Sequence, residues 1–160
     1  WKKEGVLRNT VPLELNEGEL RHRNNTSSEL LLYGYIPLML SAQCVRKNLF
    51  GCTGKCETVY LKDRYNSEFP VKCCCTPWEC SSLEKAKYCY NIIYNSIPYG
   101  LPGERERVEK LNLQSLRLAF TVEKPEEARE IFKEFQSVYQ KNGKPSGRRY
   151  TKGHFKRGAE

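Results

Sequence analysis

Outside residues 44–89 this chain has no cysteine, and across its 160 residues it has one methionine and two histidines. The scarcity of histidine narrows the chemistry. Only His22 and His154 are there to act as an imidazole base, and they sit in a polar loop and a basic tail. No H-E-x-x-H string occurs, so the zinc-protease signature is absent. No C-x2-C knuckle occurs either; the nearest spacing is Cys52-x3-Cys56. Long apolar runs are missing too. The longest, Leu30 to Leu40, is interrupted by Gly34 and Pro37 and is too short to span a bilayer. No apolar h-region follows the charged start Trp1-Lys-Lys-Glu-Gly. These absences lead us to expect a soluble, cytoplasmic protein with no membrane partner. The chain starts at Trp1 rather than Met, and we read it as a fragment whose N-terminal part is missing.

What is present is concentrated. Eight cysteines read C-x7-C-x3-C-x16-CCC-x4-C-x8-C, from Cys44 through Cys52, Cys56, Cys73, Cys74, Cys75 and Cys80 to Cys89. Such crowding requires disulfides, a metal or cluster site, or redox thiols. The even count suits disulfides. Three consecutive thiols and the lack of an export signal argue against them. Four thiolates converging from loops suit an iron–sulfur cluster, whose ligand spacings vary more than those of zinc. Thiolates are soft ligands for either metal.

Lys plus Arg is 27 against 19 Asp plus Glu, a formal net charge of +8. A basic balance favours polyanions such as RNA through phosphate contacts. From Lys141 to Arg157 there are Lys141, Lys144, Arg148, Arg149, Lys152, Lys156, Arg157 and His154, and no acid. Tyr150 and Phe155 are interleaved and are candidates to stack on bases. The candidate nucleic-acid-binding residues are Arg148, Arg149, Lys152, Lys156 and Arg157. A disordered, solvated basic tail accounts for the same residues without a ligand.

The pattern along the chain predicts a mixed α/β fold. Val11–Leu15 reads as a strand and Asn16–Gly18 as a turn, followed by a polar loop to Ser28. Glu29–Leu40 is apolar at nearly every position, as in a strand covered on both faces, with Pro37 marking an end or bulge. Glu57–Asp63 and Glu68–Val71 form a hairpin with its turn near Asn66. Ser82–Ser96 reads as a helix capped by Ser82, and Glu104–Leu111 as a second, short one. Leu116–Phe120 is a strand. A helix then starts at Pro125 and stops at Gly143, burying Ala128, Ile131, Phe132, Phe135, Val138 and Tyr139.

The string Leu32-Tyr-Gly-Tyr-Ile-Pro-Leu-Met-Leu-Ser-Ala-Gln-Cys44 resembles the signature of peptidase family U-32, the collagenase-like proteases. The resemblance continues through Glu14-Leu-Asn16 with Glu19-Leu20, Tyr60–Arg64, Phe69-Pro-Val71, Cys89–Ser96, Leu116–Thr121 and Tyr150–Gly158, in the family's order. It implies the terminal part of a (β/α) barrel-like domain, then a Cys-rich cluster-binding segment and a small α/β region. Residues 1–43 would be the last strands of a truncated barrel and 44–96 the cluster segment with a hairpin and helix. Residues 97–141 would be a helix-strand-helix region and 142–160 the basic C-terminal tail.

The resemblance also implies an iron–sulfur cluster (4Fe–4S) and iron–sulfur-dependent hydroxylation of tRNA or rRNA bases, with prephenate as a co-substrate. The alternatives are collagenase-like proteolysis of a protein substrate, or a non-enzymatic, metal-stabilised RNA-binding module. Carried over by position, the ligands are Cys44, Cys52, Cys73 and Cys89, with Cys74 and Cys75 as rivals for the third place. Cys56 and Cys80 exceed the family pattern and read as small buried hydrophobes. Arg46, Lys47, Lys62 and Arg64 are further candidates for phosphate contact. Asp63 is either an ion-pair partner of Arg64 or a turn residue.

Overall fold

The computed structural model describes residues 2–51, 54–77 and 87–157. In chain order its elements are β1 (Asn9–Thr10), α1 (Glu17–Arg21), β2 (Ser28–Gly34), β3 (Pro37–Ser41), α2 (Val45–Phe50), β4 (Glu57–Lys62) and β5 (Glu68–Pro77). There follow β6 (Lys87–Tyr94), β7 (Tyr99–Gly100), α3 (Arg105–Glu109), β8 (Ser115–Ala119) and α4 (Pro125–Lys141). The protein is mixed α/β and divides into two compact units. Residues 1–34 with 97–160 make one, and 35–96 make the other. No sheet closes into a barrel among the described residues. No helix among them is long and apolar enough to cross a membrane.

The first unit is built on β2, whose Leu30, Leu31, Leu32 and Tyr33 are all buried. Parallel partners β1 and β8 flank it, and the short β7 runs antiparallel beside its end. Expectation and structure differ at the start. Val11–Leu15 is not a strand: pairing ends at Thr10, and Pro12 accepts a turn bond from the Leu15 N–H. Asn16 is a helix cap rather than a turn residue. Its side chain accepts from the Glu19 N–H, and Glu19 reaches back to the Asn16 N–H at 2.8 Å, a complete capping box.

α4 forms as its pattern predicts, with Pro125 in the first turn. It ends one residue early, because Asn142 takes the left-handed cap conformation at φ 58°. Its buried face is Ile131, Phe135 and Val138, whereas Phe132 is 51% exposed.

The basic stretch after α4 is packed onto this unit. Phe155 is buried, its carbonyl accepts the Glu17 N–H at 2.8 Å, and Thr151 bonds to both Pro98 and Gly100 through its backbone. Tyr150 meets Tyr33 and Phe135 edge-on and donates to Glu134 at 2.9 Å. Neither aromatic is free to stack on a base. Apolar burial of Phe155 thus ties the segment to the unit.

The second unit is an antiparallel sheet in the order β3-β6-β5-β4. The run from Glu29 to Leu40 is thus two strands in two sheets, broken at Tyr35–Ile36 just before Pro37, which lacks an N–H. The hairpin β4–β5 forms as expected, with Asn66 at φ 62° in its turn. The helix expected over Ser82–Ser96 is corrected. Residues 87–94 form strand β6, paired on both sides; the expected cap Ser82 lies outside the described residues. Lys87-Tyr-Cys-Tyr-Asn-Ile-Ile-Tyr94 is rich in aromatic and β-branched residues, which suit a pleated surface.

Candidate functional site

The cysteines of the second unit are sorted by strand alternation. Cys44 follows β3 and caps α2, its sulfur accepting the Lys47 N–H at 3.4 Å. Cys73 lies on β5 and is 1% exposed. The Cys44 and Cys73 thiols are within hydrogen-bonding reach of each other, and the Cys73 sulfur accepts the backbone N–H of Arg46. Thus two sulfurs distant in sequence meet under consecutive N–H groups of one helical turn. Burial pushes the Cys73 thiol above its ordinary value, and neighbouring Cys44 and Glu57 push the same way. The Arg46 N–H opposes that rise by favouring charge on sulfur. Glu57, the Cα partner of Cys73, is held by Arg46 at 3.0 Å.

The other predicted ligands divide clearly. Cys89 lies half-buried on β6, and its Cα pairs with that of Cys75. Of Cys75 only the backbone is described, and Cys52 and Cys80 lie outside the described residues. Cys74 follows Cys73 directly, so it faces the opposite side of the sheet. There it hydrogen-bonds to Tyr90, which raises the Tyr90 hydroxyl above its ordinary value, with Cys56 close enough to add to the effect. The Cys73-or-Cys74 ambiguity therefore has a geometric answer as regards Cys44: it meets Cys73. Cys56 is exposed rather than the buried hydrophobe expected. Among the described residues no group of three or more His, Cys, Asp or Glu side chains is arranged to hold a metal ion.

Donor chemistry is the test of fit for a cluster. Two adjacent thiols, each with an N–H aimed at sulfur, match what a thiolate-held iron centre needs from its surroundings. Cys89 stands on the strand next to β5, two residues before Asn91, and Asn91 is the Cα partner of Cys73. Cys44 and Cys73 fit such a centre in kind, as a pair.

The predicted basic residues belong to the first unit, and most of them serve its fold. Arg148 pairs with Glu127, Glu130 and Glu134 at 3.5, 3.1 and 4.0 Å. Lys152 and Lys156 converge on Glu104 at 2.5 and 3.1 Å. Glu104 is only 5% exposed, and its neighbour Arg107 adds a third cation at 3.4 Å. Burial works to raise the Glu104 carboxyl, but the two lysines outweigh it and hold it below its ordinary value. Arg149 and Arg157 are exposed.

In the second unit, Asp63 accepts the N–H groups of Tyr65 and Ser67, so it is a turn residue. Arg64 lies over the Tyr65 ring at 4.7 Å, and Lys62 pairs with Glu68 at 3.2 Å. Neither Glu104 nor Asn91 stood out in the sequence. A lone acid before a short helix and a lone Asn in a strand carry no local signal of burial.

Comparison of the chain with family models, with curated proteins and with solved structures found no match.

Proposed function

We propose that this chain is an iron–sulfur protein of the U-32 peptidase-like kind, acting in RNA base hydroxylation, with Cys44, Cys52, Cys73 and Cys89 as the thiolate set. The meeting of Cys44 and Cys73 carries the reading. Two positions assigned as ligands by resemblance, one before the hairpin and one on its return strand, are in contact. A backbone N–H on each sulfur favours its deprotonated, ligating form. When bound, the cluster would supply one-electron redox chemistry. The chain's own part is to bury both cysteines of the pair and to hold the thiols within reach of each other.

The alternation β1, α1, β2 and then α3, β8, α4 around a parallel core supports a late-barrel origin for the first unit. Net charge of +8 supports a polyanionic substrate. Because Arg148, Lys152 and Lys156 are held by carboxylates, phosphate contact from the tail falls chiefly to Arg149 and Arg157. Prephenate as co-substrate rests on the resemblance alone. For the peptidase alternative, residues 35–96 supply no histidine of their own as a base.

Anaerobic purification tests the cluster. Brown protein carrying iron and acid-labile sulfide is expected, and Cys73→Ser should lose most of both. Colourless, iron-free protein with intact thiols would overturn the reading. Zinc in place of iron would favour the non-enzymatic module.

A further inference from the structure

We infer that Asn91 is the positioning residue of the Cys44–Cys73 pair. It sits on β6, the strand between the two that matter. Its Cα partners are Ser41 on β3, which delivers the chain to Cys44, and Cys73 on β5. It is 0% exposed. Asparagine is disfavoured inside strands, and a buried amide must have partners. Here the Asn91 Nδ2 donates to the Gln43 carbonyl at 2.6 Å, and Gln43 immediately precedes Cys44. From the other side the Ser41 hydroxyl accepts the Gln43 N–H at 3.2 Å.

The turn that presents Cys44 is therefore fixed to β6 by one amide. Everything downstream depends on that turn: Cys44 caps α2, Lys47 donates to the Cys44 sulfur, and Arg46 donates to the Cys73 sulfur. The Asn91 Oδ1 has no hydrogen-bond donor among the described residues. An amide satisfied on one side only is a poor choice for packing alone, since an apolar side chain would fill the place without that deficit. Its donor explains its presence.

The inference deepens the proposed function, but its test does not depend on iron. Reduced, metal-free full-length chain is treated with dibromobimane, a short bifunctional thiol reagent. Each thiolate displaces one bromide, so two C–S bonds form and two bromide ions leave. Peptide mass mapping then identifies which cysteines are joined. Wild type should give Cys44–Cys73 as its main cross-link. Asn91→Leu fills the space without the donor, and should lower that yield at least tenfold while Cys74, buried on the opposite face of the sheet, stays as protected from alkylation as in wild type. A merely structural weakening would change both readouts.

Should Asn91→Leu fail to fold, Asn91→Ser decides: it is smaller and its hydroxyl falls short of Gln43, so the same loss is expected. A folded variant of either kind that cross-links at the wild-type level would overturn the inference. Wild type that carries no iron after anaerobic purification, yet gives the Cys44–Cys73 cross-link and loses it in Asn91→Leu, would sink the cluster reading and leave the role of Asn91 intact. Iron-loaded wild type with an unaffected Asn91→Leu cross-link would do the reverse.

Discussion

Glu104 shows how one residue redirects the meaning of a charge run. Its buried carboxylate draws Lys152 and Lys156 inward, so two of the five candidate polyanion-binding residues close the fold instead. Glu104→Gln removes the charge that both lysines face, and should cost about 2 kcal/mol at neutral pH in chemical denaturation. The pH dependence follows from the lowered carboxyl. Its stabilisation is complete well above 4.5, its ordinary value, and is lost as pH falls through and below that value. Wild type and Glu104→Gln should therefore converge in stability as pH falls below the ordinary carboxylate range. If the chain holds iron as proposed, Cys74→Ser should leave iron content unchanged whereas Cys73→Ser removes it, because of these two it is Cys73 that meets Cys44. Cys44 and the candidate ligand set were legible as a string. The partner of Cys44 was not, since choosing among three consecutive cysteines requires knowing which face of a strand each occupies.

At the scale of elements, periodicity served α4 well and β6 badly. A 17-residue helix with an apolar stripe, Pro at its start and a left-handed stop carries three concordant signals. Within it, burial separates neighbours that sequence treats alike. Ile131→Ala should cost about 3 kcal/mol and Phe132→Ala less than about 1 kcal/mol, as read by urea unfolding, since Ile131 is 1% exposed and Phe132 51%. β6 has no such pattern. It is the second strand from the sheet's edge, buried unevenly on its two faces, and its Ile92-Ile93 pair fits a helix as readily as a strand. Pairing with β3 and β5 decides the matter, and pairing is not a local property. The same non-locality split the apolar run at Tyr35–Ile36: Gly34 and Pro37 flank the break, but neither tells that the two halves join different sheets.

For the molecule as a whole, the division into two units rests on one small piece of register. Tyr33 pairs with Gly100, and Gly34 with Tyr99, at the point where the chain leaves β2 and later rejoins the first unit. Joining Gly34 to Tyr99 through Asn-Gly would satisfy the same antiparallel pair with a two-residue turn. That shortened chain should keep a cooperative thermal transition and its far-UV signal for α4, with no thiols left to bind iron. Loss of the transition would mean that residues 35–96 are needed for the first unit to fold.

The short β7 strand also has a kinetic meaning. Without prior order in residues 35–96, bringing Tyr99 beside Gly34 closes a long loop, whose entropy must be lost before the pairing contributes anything. If the hairpin region folds early, much of that separation is already spanned. If the second unit ligates a metal as proposed, that ligation would act on the first unit as an accelerator of folding, read in its refolding rate.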